Sequence, residues 1–226
     1  VSGANIEHLH DSVHRLGDDR LEAVLAKSEV GAAFMADARA RIHRTLGVCC
    51  STSGGGMMNL AVGIAESYAE SVPVLALVGQ VATNFDGRGG FQDSSGLGRT
   101  VHATALWQSM TKYTARVDEP TRFWHHLEQA VRASLSGRKG PSALLFPRDV
   151  YELEVGPKPA GFPATLSELM KPEYNIDQAT LAALLESMRH AKHPVIMIGT
   201  GVSRCNNPEH VIQFAMEAGI PVVTTM

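Results

Sequence analysis

Residues 52–80 read TSGGGMMNLAVGIAESYAESVPVLALVGQ: a strand end, a glycine turn, a helix, a short loop and a second strand. Val48 to Ser51, just ahead, are mostly β-branched or sulfur-bearing and suit a buried strand. Gly54-Gly55-Gly56 lets the backbone turn sharply and come close to a ligand. Met58, Val62, Ala65 and Tyr68 recur near helical spacing and predict a helix with its apolar side along that line. Pro73 breaks the pattern, and Val74 to Val78 is a second buried strand. Backbone N–H groups at such a helix start favour an acidic or polar ligand atom. A purely structural glycine turn in an α/β domain has the same appearance, and the turn alone does not separate the two.

The bulk properties narrow the classes. A chain of 226 residues holds one large domain, or one domain and part of another. Its apolar fraction of 44% is that of an ordinary globular protein. A net charge of −3 without a basic run argues against nucleic acid as a partner. Three cysteines, two of them adjacent at Cys49 and Cys50, form neither a disulfide framework nor a metal-ligand spacing. They suit a reducing cytoplasm, the expected location. No apolar run is long enough to span a bilayer and no signal peptide is evident, so no membrane partner is expected. The chain starts Val1-Ser2-Gly3 without Met and ends in a strand pattern, so both ends are expected to be cut from something longer.

Working outward, a helix is predicted from Ile6 to Leu16, stopped by Gly17, and a short strand from Leu21 to Leu25. His10 and His14 are i, i+4 partners on that helix, but no further ligand stands near them, and solvated histidines are the expectation. Glu29 stands where a helix of small residues (Gly31, Ala32, Ala33, Ala36) begins. Such a carboxylate is either a charge favoured by the helix dipole or a functional group aimed at a cleft. Pro120 to Leu135 is an amphipathic helix and Ser142 to Phe146 a buried strand. Residues 151–175, with Pro157, Pro159, Pro163 and Pro172, have the composition of an interdomain linker. Beyond it come a helix (179–191), a strand (193–198), the turn Gly199-Thr200-Gly201, a helix (208–219) and a strand (220–225), the opening of a nucleotide-binding-like βαβ unit. The predicted fold is α/β: a parallel sheet flanked by helices over 1–150, then a partial second α/β domain over 176–226.

A series of short motifs now falls in order: Glu29-x-Gly31-Ala32-Ala33-x-Met35-Ala36-Asp37, Gly47-Val48, Thr52-Ser53-Gly54-x-Gly56-x-x-Asn59, Pro73, Gly79-Gln80, Phe91-Gln92, Thr111-Lys112, Ser136-Gly137-Arg138-x-Gly140-Pro141 and Pro147-Arg148-Asp149-Val150. The series resembles the pyrimidine-binding domain of thiamine diphosphate-dependent enzymes of the acetolactate synthase and 2-oxo acid decarboxylase type. The resemblance covers almost the whole chain, with the domain's extreme N-terminus lacking.

The resemblance implies a role for each matching residue. Glu29 matches the glutamate that hydrogen-bonds N1′ of the cofactor's aminopyrimidine and so helps the 4′-amino group remove the thiazolium C2 proton. Thr52, Gly55, Asn59 and Gln92 match cofactor-binding positions, although the family usually has proline in place of Gly55 and histidine in place of Ser28. Ser2, Gly3, Phe91 and Lys112 match the substrate side of the cleft. Arg138 lies in the triplet that touches FAD in flavin-retaining relatives, which leaves FAD open as a second cofactor. The variable stretch from Gly98 to Met110, with His102 and Trp107, is where substrate choice is expected to change.

The family holds the diphosphate and Mg²⁺ through a separate domain with a Gly-Asp-Gly run, which is absent here; Asp86-Gly87 follows Phe85. No metal ligand is therefore assigned to this chain, and by itself it is expected to be inactive. The implied protein is a homodimer or homotetramer, its site shared between subunits, acting as a transferase or lyase on a C–C bond next to the carbonyl of a small 2-oxo acid. The alternative is a non-catalytic or truncated homologue that only pairs with a partner subunit. A nicotinamide dehydrogenase is disfavoured, because the first glycine turn lacks G-x-G-x-x-G.

Overall fold

The computed structural model describes residues 1–16, 21–169, 177–205 and 207–225. Two compact units divide near residue 172. The first contains α1 (Glu7–Leu16), α2 (Glu29–His43), β1 (Gly47–Ser51), α3 (Gly55–Ala69), β2 (Val74–Gln80), α4 (Ala103–Gln108), β3 (Tyr113–Arg116), α5 (Phe123–Leu135), β4 (Ser142–Pro147) and a short α6 (Leu166–Leu169). Its sheet is wholly parallel, in the order β1-β2-β4-β3.

Parallel strands must be covered on both faces, and alternation along each strand sorts the cover. Cys49, Val74, Ala76, Val78, Ala143 and Leu145 face α2, α3 and α4 and form one core with Met57, Leu60, Ile64 and Trp107. Leu75, Ala115, Leu144 and Phe146 face α5 and form the other. The α2–α3 pair is pinned by Asp37, a buried carboxylate that accepts from Ser67 Oγ at 2.8 Å and pairs with Arg41 Nε. Such a buried charge is tolerated because its oxygens are hydrogen-bonded.

Three expectations are corrected. Residues 21–25 form no strand: Leu21, Val24 and Leu25 are exposed, and no described strand offers their backbone a ladder. The helix after the glycine turn buries Met57, Leu60, Ala61, Ile64 and Ser67, while Met58, Val62 and Tyr68 are 42%, 56% and 45% exposed. Two helical stripes compete in this sequence, and packing against β1, β2 and α2 selects the one through Met57, Leu60 and Ile64. β1 is an edge strand among the described residues, and Val48 is exposed rather than buried. The helix end expected at Gly17 lies outside the described residues.

Part of the proline-rich stretch docks on the first unit. Phe162 meets Trp124 edge-to-face at a centroid distance of 5.0 Å, and Leu169 joins the α5 core. The second unit has α7 (Gln178–His190), β5 (Ile196–Ile198), α8 (Thr200–Ser203), α9 (Glu209–Ala218) and β6 (Val222–Thr224), with β5 and β6 parallel. This is the βαβ order the sequence predicts. Asp177 caps α7, accepting from Ala179 N and Thr180 N, and Gly219 ends α9 with φ +64°. Leu184, Met197 and Met216 remain exposed in this unit, and Ala215 is its buried apolar residue among those described.

Candidate active site

The C-terminal ends of β1 and β2 meet the N-termini of α2 and α3, where a parallel α/β unit gathers its free backbone donors. At the α2 start, Ser28 is the cap, its Oγ accepting from Gly31 N at 3.1 Å. Glu29 follows at the first helical position, half-buried. Asn59, one turn into α3, donates from Nδ2 to Glu29 Oε2 at 3.2 Å. The hydrogen bond turns the carboxylate and leaves Oε1 toward Gly56, where an added Cβ would stand 3.4 Å from Oε1 and 2.7 Å from Thr52 Cγ2.

Gly54 adopts φ +59° and ψ −123°, a conformation open to glycine. Across from it lies Gln92, itself left-handed at φ +63°; a Cβ on Gly54 would stand 2.8 Å from Gln92 Cβ. A non-glycine residue in that region stores strain of about 1 kcal/mol or more, and such positions cluster at functional sites. Thr52, buried at the end of β1, accepts from Asn5 N at 3.3 Å and donates to Gln92 Oε1 at 3.4 Å. Glu29, Asn59, Thr52, Gln92 and the glycine turn therefore form one pocket edge. It combines a carboxylate, an amide that orients it, and an opening at Gly55, which has nothing within 4 Å of an added Cβ, whereas Gly56 packs closely on Thr52. A carboxylate held in this way can hydrogen-bond a ring nitrogen of a flat ligand.

Residues 1–97 match the family model described as the thiamine pyrophosphate enzyme, N-terminal TPP binding domain. The chain is 33% identical, over 93% of its length and 35% of the relative's, to a probable acetolactate synthase large subunit of Methanocaldococcus jannaschii. It is 30% identical to the acetolactate synthase large subunit of Corynebacterium glutamicum, over 100% of this chain and 34% of that one. Residues 1–97 carry the N-terminal TPP binding domain of the thiamine pyrophosphate enzymes. It spans about a third of the length of these curated relatives. A solved Rhodococcus jostii RHA1 thiamine diphosphate-dependent 4-hydroxybenzoylformate decarboxylase shares the fold, with a TM-score of 0.80, 18% identity, and coverage of 99% of this chain and 40% of that one.

In this thiamine pyrophosphate domain the other expected site residues divide into two groups. Gly3 packs on Thr52, with an added Cβ only 2.5 Å from Thr52 Cβ, so the Ser2-Gly3 loop borders the site. Phe91 stands beside Gln92, 79% exposed. Lys112 and Arg138 lie instead at the opposite end of the sheet, by the N-terminal ends of the strands. Lys112 precedes β3, its Nζ donating to Ser136 O at 2.6 Å just after α5, and burial lowers its pKa. Arg138 donates to Ser71 Oγ at 2.7 Å and Ala69 O at 2.9 Å at the end of α3. Both cations serve helix C-termini, where carbonyls lack partners. Trp107 is fully buried, and His102 caps α4, its Nδ1 accepting from Ala105 N. Among the described residues no three metal-ligating side chains gather, and no helix is long and apolar enough to cross a membrane.

Asn5 is a residue that the sequence reading passed over. It is buried, donates from Nδ2 to Ser53 Oγ at 2.7 Å, and ties the first loop to the glycine turn. Its signal was an Asn between Gly3 and a helix start, which by composition is an ordinary loop residue. A separate apolar cavity of 290 Å³ lies under α5, lined by Leu75, Leu77, Phe123, Leu144, Phe146 and Tyr151. It sits on the sheet face away from α2 and α3, and it lacks the convergent polar groups that mark a reactive site.

Proposed function

We propose that this chain supplies the aminopyrimidine half of the active site of a thiamine diphosphate-dependent enzyme that cleaves or joins the C–C bond beside the carbonyl of a 2-oxo acid, in the manner of acetolactate synthase. The observation that carries the reading is the Glu29–Asn59 hydrogen bond beside the open Gly55. Glu29 holds a proton at the ring nitrogen of the aminopyrimidine, Asn59 fixes the carboxylate that does so, and Gly55 leaves room for the ring. Gln92 and Thr52 close the side, and Ser2, Gly3 and Phe91 border the substrate. When bound, the cofactor supplies the electron sink for the bond that breaks.

The diphosphate and its Mg²⁺ would be held by a domain outside these residues, brought in by a second copy. Phe34, Met35 and Ile42 on α2, with Met58, Val62 and Tyr68 on α3, leave apolar side chains exposed on the two helices that carry Glu29 and Asn59. That surface supports a homo-oligomer in which this face is covered. FAD has no support from Arg138, whose guanidinium serves the α3 terminus.

The test is a screen of 2-oxo acids with the assembled enzyme, diphosphate-binding domain included, following CO₂ and the condensation product. Turnover that depends on thiamine diphosphate supports the reading; no binding of thiamine diphosphate by the assembled protein overturns it. The isolated chain should bind the cofactor weakly at best.

A further inference from the structure

The loop from Val81 to His102 carries Phe91 and Gln92 and is the least regular part of the first unit, yet it is tied at many points. Asp149 accepts from Thr83 N and Thr83 Oγ1, at 3.1 and 2.6 Å. Arg116 donates to Asp86 Oδ2 at 2.7 Å. Asp93, next to Gln92, accepts from Gly87 N at 2.7 Å and Ser95 N at 2.8 Å, closing the loop on itself. One tie reaches into the core. Ser94, 2% exposed, donates from Oγ to Gln80 Oε1 at 2.8 Å, and its carbonyl accepts from Ala103 N at 2.9 Å.

Gln80 is itself 2% exposed, at the last turn of β2 toward the site. Its Nε2 donates to Gly79 O at 2.7 Å and touches Met57 Sδ at 4.0 Å. Met57 is in the first turn of α3, two residues before Asn59. A buried carboxamide in an apolar core costs stability unless its polar atoms are matched. Here they are matched to the loop on one side and to the α3 start on the other.

We propose that Gln80, acting through Ser94, is a positioning residue that registers the Phe91-Gln92 loop against the α3 N-terminus carrying Asn59. The assignment rests on the thiamine diphosphate reading of the site. The tie fixes Ser94 two residues from Gln92 and so holds Gln92 in its left-handed conformation over Gly54. A loop freed from Gln80 samples other conformations, and binding that needs the held one weakens by the fraction lost.

The experiment compares Ser94→Ala, Gln80→Met and Ser94→Thr by amide hydrogen exchange in the full chain and by steady-state kinetics in the assembled enzyme. Ser94→Ala and Gln80→Met should speed exchange across residues 83–100 about tenfold, the equivalent of one buried hydrogen bond, with β2 and β4 peptides unchanged. They should raise KM for the 2-oxo acid about tenfold at unchanged kcat. Ser94→Thr, which keeps the hydroxyl, should restore both. Unchanged loop exchange in Ser94→Ala, an equal rise in loop and sheet peptides, or a loss confined to kcat overturns the assignment. The exchange arm needs no cofactor. If the assembled wild-type protein binds no thiamine diphosphate, the enzyme reading fails while the exchange result still decides whether the tie holds the loop.

Discussion

Asn59 and Glu29 lie on different helices, 30 residues apart in sequence, and are joined by a 3.2 Å hydrogen bond from the amide to the carboxylate. The carboxylate is thereby turned before any ligand arrives. Pre-orientation of this kind removes part of the entropic cost of binding. Its value here depends on Gly56, whose missing side chain lets Thr52 and Glu29 pack against the α3 start.

Gly56→Ala tests that packing. In an exposed helix interior the change would gain about 1 kcal/mol in propensity. At this position the added methyl stands 2.7 Å from Thr52 Cγ2, and overpacking of that order costs about 1–3 kcal/mol. The variant should have a lower Tm than wild type and lose thiamine diphosphate binding in the assembled enzyme, read by thermal melting and calorimetric titration. A rise in Tm with unaltered binding would show that Gly56 does not set the positions of Thr52 and Glu29.

Val62→Lys addresses the exposed stripe of α3. Val62 is 56% exposed, and a surface change of this kind moves stability by about 0.5 kcal/mol or less. The isolated chain should melt as wild type. The assembled protein should dissociate at concentrations where wild type stays associated, measured by sedimentation velocity. Unaltered association would place the subunit interface elsewhere.

The loop should also respond to pH. Burial pushes the Asp93 pKa up, but hydrogen bonds from Ser95 and Gly87 outweigh it and hold the carboxyl below its ordinary value. A depressed acid contributes stability that is present above the unfolded-state pKa and is lost as pH falls through the folded one. Loop ordering should therefore be intact at neutral pH and fade below about pH 4. The Gly87 and Ser95 amide resonances should titrate together in that range, and Asp93→Asn should abolish the shared transition.

The parallel α/β pattern was legible because β1, β2 and β4 are short runs bounded by Gly, Pro or polar residues and the glycine turn announces the β1–α3 junction, whereas β3, with the sequence YTAR, has no apolar run to mark it and was not predicted. Motif spacing groups Glu29 with Asn59, and the structure joins them by a hydrogen bond. The buried side of α3 was not, because Met57, Leu60 and Ile64 alternate with Met58, Val62 and Tyr68 and only tertiary packing chooses between them. Lys112 and Arg138 show the same limit. Their motif context places them with the site, whereas strand direction puts them at the N-terminal ends of the strands, beside helix C-termini. The ties from Gln80, Asp93 and Asp149 to the loop escaped the sequence reading as well, since a polar residue at a strand end has no period to mark it.

The most direct test of the central claim is the rate at which the C2 proton of bound thiamine diphosphate exchanges with deuterated solvent, followed by NMR in the assembled enzyme with Glu29→Gln against wild type. Proton transfer assisted by a placed acid or base is worth about 10²–10⁴ in rate. The variant should keep its fold and exchange at least about 100-fold more slowly. Exchange at the wild-type rate would contradict the account.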